Sequence, residues 1–315
     1  DAYPLAVSYL RVFLLSTPFT FGMFLMASML RGMGDTKTPL VFQAFALIFT
    51  AILDPLLMLG WCHFPRLGLN GTSVAGIVMQ GLATFAFIFY LRRRKHIVSP
   101  DWRHLCADRH TSWLITKIGF PSAVQQCIMA LGNIFVIGIV NKFGLNAAAA
   151  LTSAGRIDMI AFMPIMTFGM AVSTLVGQNI GANSHHRVKE VFLWGNIIGG
   201  GVTLCFSMFA LLAPGTLLHI FTKDTAVIKI GTGYLHIIGS CYLLYAILFV
   251  SNGVINGAGY TFVTTIISLI SLWIARVPLA GYLSHRMHRV EGVWYAIIIS
   301  TMIALVISLG FYISG

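Results

Sequence analysis

Acidic residues are scarce in this chain of 315 residues: nine Asp and Glu stand against twenty Lys and Arg, giving a formal net charge of +11. Charged residues of both signs reach only 9%, hydrophobic residues reach 57%, and mean hydropathy is +0.86. Soluble domains carry about 25% charged residues, so that class is excluded. Cysteine is limited to Cys62, Cys106, Cys127, Cys205 and Cys241, an odd, scattered set without CxxC or His-partnered spacing, so free thiols are expected. HExxH, GxSxG and paired carboxylates on neighbouring turns are all absent, which argues against an intramembrane enzyme and leaves no catalytic residue, metal site or cofactor to assign.

What the chain has instead is long apolar runs. A helix needs about 20 apolar residues to cross the hydrocarbon core, and windows of that length give nine candidate spans at about 5–30, 40–61, 71–91, 119–141, 148–177, 191–221, 230–255, 262–283 and 291–313. Backbone groups in lipid need internal partners, which leaves helices or closed barrels. Runs such as Phe85 to Phe89 are apolar on every side, whereas barrel strands alternate, so the barrel is excluded. The expected fold is an all-α polytopic membrane protein with nine transmembrane helices, and its first partner is the lipid bilayer.

The bases cluster in short loops, which the positive-inside rule explains better than a nucleic-acid partner. Alternate loops carry eleven bases on one side, including Arg92, Arg93, Arg94 and Lys95, and six on the other, including Arg66, Lys142 and Arg286. The richer side is read as cytoplasmic. On that orientation the chain starts outside the cytoplasm, and with Asp1 in place of Met and no signal peptide ahead of the first span it is read as truncated.

Two loops echo each other: Leu30-Arg31-Gly32-Met33-Gly34-Asp35-Thr36 and Ile255-Asn256-Gly257-Ala258-Gly259-Tyr260-Thr261, with three identities at one offset of 225 residues. Tyr9-Leu10 and Tyr234-Leu235 share that offset, and later slips align Gly71 with Gly292. Repeated apolar units of this kind are a mark of transporters. The expected organisation is a partial N-terminal lobe of three helices over 1–91, a basic cytoplasmic interlobe linker over 92–116, and a C-terminal lobe of six helices over 117–315. A complete unit of six spans keeps the orientation of its copy, so the repeat is expected to be parallel.

The strings Leu30 to Pro39, Leu53-Asp54-Pro55-Leu56-Leu57 and Leu175-Val176-Gly177-Gln178-Asn179-Ile180-Gly181-Ala182 together resemble multidrug and toxic compound extrusion (MATE) transporters of bacterial type. The resemblance covers essentially the whole chain, as the fourth to twelfth helices of a twelve-helix transporter. It implies two six-helix lobes around a central cavity in a bacterial inner membrane, exchanging a drug, flavin or other small organic substrate for protons or sodium ions. A monomer is expected. A lipid-linked precursor flippase of the same superfamily and a fragment that does not transport remain the alternatives.

Asp54 and Asp158 are the carboxylates inside candidate spans. A carboxylate in a bilayer costs about 2.5–3.5 kcal/mol even on the lenient insertion scale, so each needs a partner, a proton or a cation. Asp54, just before Pro55, resembles the ion site of prokaryotic members; Thr50 replaces an Asn found there one turn earlier, and capping of backbone donors or contact with interfacial water near the span end stays open as the structural alternative. The regions where sodium-coupled members resemble one another in a second-lobe Glu and Asp read Pro121 to Cys127 and Tyr242 to Tyr245 here, without a carboxylate. Gln125, Gln126, Asn133, Tyr245 and Arg276 are candidates for the substrate cavity, with interhelical hydrogen bonding equally open for Gln125, Gln126 and Asn133. Arg156 and Asp158 are too close in sequence to pair with each other on a helix, and an ion pair with another group, at the membrane interface or between lobes, is expected.

Overall fold

A computed structural model describes residues 2–60, 66–94 and 108–314. Cys62, Cys106 and residues 95–107 of the expected linker lie outside the described residues. Among the described residues all regular structure is helical. The helices form two compact units, one holding α1 to α4 and the other α5 to α13.

In the first unit α1 is Ala2–Leu14, α2 Thr17–Gly32, α3 Lys37–Leu59 and α4 Leu69–Arg93. The window 5–30 is broken: its two helices meet at 44°, with Pro18 seated in the first turn of α2, where its missing N–H breaks no bond. Helix α4 packs against the other three. Met23, Met26 and Leu30 of α2 meet Phe87 and Leu91 of α4, and Phe42 of α3 stacks on Phe87 at 4.6 Å.

In the second unit α5 is Arg109–Asn141, α6 Leu145–Gly181 and α7 His185–Leu212, followed by the short α8, Pro214–His219. Helices α9, Thr225–Gly239, and α10, Tyr242–Gly257, form a second broken pair bent by 48°. Helix α11, Thr261–Leu269, passes through a π-helical stretch, Ile270–Arg276, into α12, Val277–Met287, and α13 is Glu291–Ser314. Among the described residues, seven helices are long and apolar enough to cross a membrane, or up to nine if each bent pair is one span.

Small residues set the tightest packing. Gly169 of α6 lies so close to α10 that a Cβ on it would fall 2.9 Å from the Phe249 carbonyl oxygen, and Gly253 and Gly257 lie against the carbonyls of Gly169 and Ser173. This is the small-xxx-small contact of membrane helices. Large apolar side chains cover the outside, with Phe21 71% and Phe24 61% exposed, a surface suited to lipid and not to water.

The sequence echo is a structural one. Helix α2 ends at Gly32 and α10 at Gly257, and each is closed by a Schellman turn. Asp35 N–H donates to Leu30 O at 2.9 Å and Tyr260 N–H to Ile255 O at 3.0 Å, with Gly34 at φ 90° and Gly259 at φ 89°. A left-handed residue is needed at that position, and glycine takes it without a Cβ clash. Both bent pairs break at the same offset, immediately before α2 and α10.

Candidate functional site

Asp54 lies in the last third of α3. Pro55, one residue on, has no N–H for the carbonyl of Ala51, so the turn holding Asp54 carries a backbone oxygen released from the helix ladder. Thr50, half-buried, lies one turn before Asp54 on the same helix. The Asp54 side chain is half-buried as a whole, yet its Oδ1 is fully enclosed and meets no hydrogen-bond donor among the described residues. Capping of backbone donors therefore does not account for that oxygen. The neighbouring α4 begins with a similar case: Asn70 donates through Nδ2 to Ser8 Oγ at 2.9 Å, while its Oδ1 is enclosed without a donor among the described residues. The close approach of the two helices is fixed at Gly71, where a Cβ would fall 2.7 Å from the Leu57 carbonyl oxygen.

A larger polar cluster occupies the second unit. Asp158 of α6 is 7% exposed and accepts from two phenols, Tyr242 of α10 at 2.5 Å and Tyr234 of α9. The ring of Tyr234 meets Trp294 edge-on at 4.7 Å, and Phe162 meets Tyr242 and Tyr245 at 5.6 and 4.9 Å. One turn beyond Tyr242, the Tyr245 hydroxyl is hydrogen bonded to Thr301 at 3.0 Å. Arg276, at the end of the π-helical stretch, donates through Nε to Ser300 Oγ at 2.8 Å and through Nη2 to Thr301 Oγ1 at 3.3 Å. A π-helical turn inside a membrane helix widens the local spacing and often marks a functional position.

The expected residues divide accordingly. Tyr245 and Arg276 come together through Thr301. Gln125 is committed to helix packing, donating through Nε2 to Ser268 Oγ at 2.7 Å and to Thr264 O at 3.2 Å, so it joins α5 to α11. Gln126 and Asn133 are exposed. Among the described residues the expected ion pair at Asp158 is not found: its partners are the two tyrosines, while Arg156 lies 5.8 Å from the ring centre of Phe221. Sequence reasoning passed over Tyr234 and Tyr242 as partners. The usable signal was chemical, since a carboxylate in a span needs donors and tyrosine is a donor that tolerates an apolar setting.

Outside the spans, Asp108 caps α5. Its carboxylate accepts from Thr111 Oγ1 at 2.6 Å, Thr111 N–H at 2.8 Å and His110 N–H at 3.3 Å, and these bonds hold its carboxyl below the usual aspartate range.

The MatE family model matches residues 1–56 and 121–281. A probable multidrug resistance protein of Bacillus subtilis, YoeA, is 31% identical over 98% of this chain and 67% of its own length. A FAD transporter of Shewanella oneidensis is 24% identical over 95% of this chain and 65% of its own. The chain thus spans about two thirds of the length of these relatives. In fold it matches a crystal structure of MATE in the bent conformation, with TM-score 0.89 and 22% identity, over 98% of this chain and 68% of that one.

Proposed function

This chain belongs to the MATE family of membrane transporters, and from that premise we propose that it is the larger part of a secondary active exporter exchanging small organic molecules for protons. The observation that carries the reading is Asp54 Oδ1, enclosed without a donor among the described residues, on a helical turn whose backbone ladder Pro55 interrupts. An unpartnered carboxylate oxygen in that setting calls for a proton or a cation. The proton is preferred to sodium because a sodium site needs several converging oxygens, and Thr50 is the nearest side-chain oxygen donor on the same helix. Coupling then requires only that the ion and the substrate each favour a different state of the transporter.

The names of the relatives support a multidrug or flavin substrate class for the whole transporter. The relatives' greater length fits three further helices ahead of α1, completing the first unit. The flippase alternative calls for free cationic side chains to meet pyrophosphate, whereas Arg276 is bonded to Ser300 and Thr301 and Arg156 lies over the Phe221 ring. Reconstitution of the full-length protein in liposomes tests the reading. A fluorescent organic cation should move against its gradient when a proton gradient is imposed. Movement under a sodium gradient alone would exchange the ion in this account, and no movement under either gradient would remove the exporter reading.

A further inference from the structure

The site at Asp54 leaves the other carboxylate of the spans, the buried Asp158, unused. Asp158 is held by Tyr234 and Tyr242, and these two residues lie on opposite sides of the break between α9 and α10. One carboxylate on α6 therefore ties together the two halves of a span bent by 48°. The break is also supported by Ser207 of α7, whose hydroxyl donates at 2.6 Å to the Gly239 carbonyl at the end of α9.

We propose that Asp158 is a second proton site, in the second unit, whose charge state sets the bend between α9 and α10. The inference rests on the proton-coupled exporter reading given above.

The donor count supplies the mechanism. Ionised Asp158 accepts one phenol O–H on each oxygen, which satisfies both tyrosines and fixes both halves of the span. A proton arriving from water turns one carboxylate oxygen into a donor. The tyrosine facing that oxygen then becomes the acceptor, and its own O–H must turn to a different acceptor. For Tyr242 the next hydroxyl along α10 is that of Tyr245, itself hydrogen bonded to Thr301 and through it joined to Arg276. For Tyr234 the edge-on ring contact with Trp294 offers no acceptor oxygen, so a turned Tyr234 O–H is left unpaired. Protonation thus replaces two charge-assisted bonds with two neutral ones, one of them reversed, which weakens the tie across the break, and loss of the proton restores it.

The ionisable groups facing Asp158 are Tyr234 from α9 and Tyr242 from α10, with Tyr245 one turn further along α10. From α5, α7 and α8 no charged group among the described residues bears on it. Among the described residues no cation neutralises this enclosed carboxylate, which leaves the proton as the species that can.

The test uses the full-length protein without substrate. Infrared difference spectra between acid and neutral pH should show the C=O stretch of a protonated carboxylic acid that is lost in Asp158→Asn and retained in Asp54→Asn. In Tyr242→Phe, which removes one hydrogen bond and keeps the ring, the same band should shift. Spin labels at the exposed positions Lys229 on α9 and Tyr260 just after α10 should report a pH-dependent distance that Asp158→Asn abolishes. A band and a distance change that both survive Asp158→Asn would overturn the proposal. Efflux that survives Asp54→Asn would count against the coupling reading alone, because neither spectroscopic readout depends on transport.

Discussion

Gly71 and Gly292 occupy equivalent tight helix crossings in two separate units. A Cβ on Gly71, at the start of α4, would fall 2.7 Å from the Leu57 carbonyl oxygen, and one on Gly292, at the start of α13, would fall 2.7 Å from the Leu283 carbonyl oxygen. In each case the nearest neighbours are backbone atoms, which have little room to give way. Two helices therefore pass the end of their predecessor through the same kind of gap, and the duplication extends well beyond the paired loops.

Gly71→Ala and Gly292→Ala should each destabilise the protein by about 1–3 kcal/mol, the usual range for forcing an added methyl into a packed interior. Thermal unfolding in detergent measures the effect. An alanine at either position that leaves the midpoint unchanged would mean the crossing relaxes and that glycine is not required there.

Arg276 bridges the π-helical stretch to α13 through Ser300 and Thr301. Arg276→Met keeps much of the side-chain volume and removes both bonds, so stability should fall by about 1–3 kcal/mol, while Arg276→Lys, able to keep one donor contact, should fall less. Equal melting of the methionine variant and the unaltered protein would show that the bridge contributes no net stability.

Asp108 supplies the clearest pH dependence outside the membrane. Its carboxyl is held below the ordinary aspartate value by bonds that exist only in the folded helix start. Its contribution is therefore present above about pH 3.9, the unfolded value, and is lost as pH falls through the lower folded value. Protection of the His110 and Thr111 amides, taken as the exchange rate relative to the intrinsic rate at each pH, should hold at neutral pH and fall only in that acid window. In Asp108→Ala protection should be lost at every pH, and protection retained in that variant would show that the cap does not hold the helix start.

The architecture was legible because hydropathy in a membrane chain reports directly on helices: the windows around α3, α4, α6 and α13 match observed helices closely, while α5 begins at Arg109, ten residues ahead of its window and within the expected linker, because its first turns are polar. The breaks were harder to read. Pro18 gives a clue to the first, just after Leu15-Ser16, but no proline follows Ser240-Cys241, and the 48° bend there is held by packing against α6 and α7. Asp54 drew notice because a carboxylate before proline in an apolar run stands out, and the structure adds that its Oδ1 is enclosed. The cluster at Asp158 was half legible: its rarity drew notice, but Tyr234 and Tyr242 reach it only through the bend, which brings residues 76 and 84 positions away onto one carboxylate. Gln125 illustrates the opposite limit, since a polar residue in a span reads alike whether it lines a cavity or, as here, joins two helices.

The central claim is that Asp54 carries the coupling proton, and transport by Asp54→Asn in proteoliposomes of the full-length protein tests it most directly. The account predicts normal insertion and folding with proton-driven export of the organic cation abolished. Export by that variant at the rate of the unaltered protein, under the same proton gradient, would contradict it.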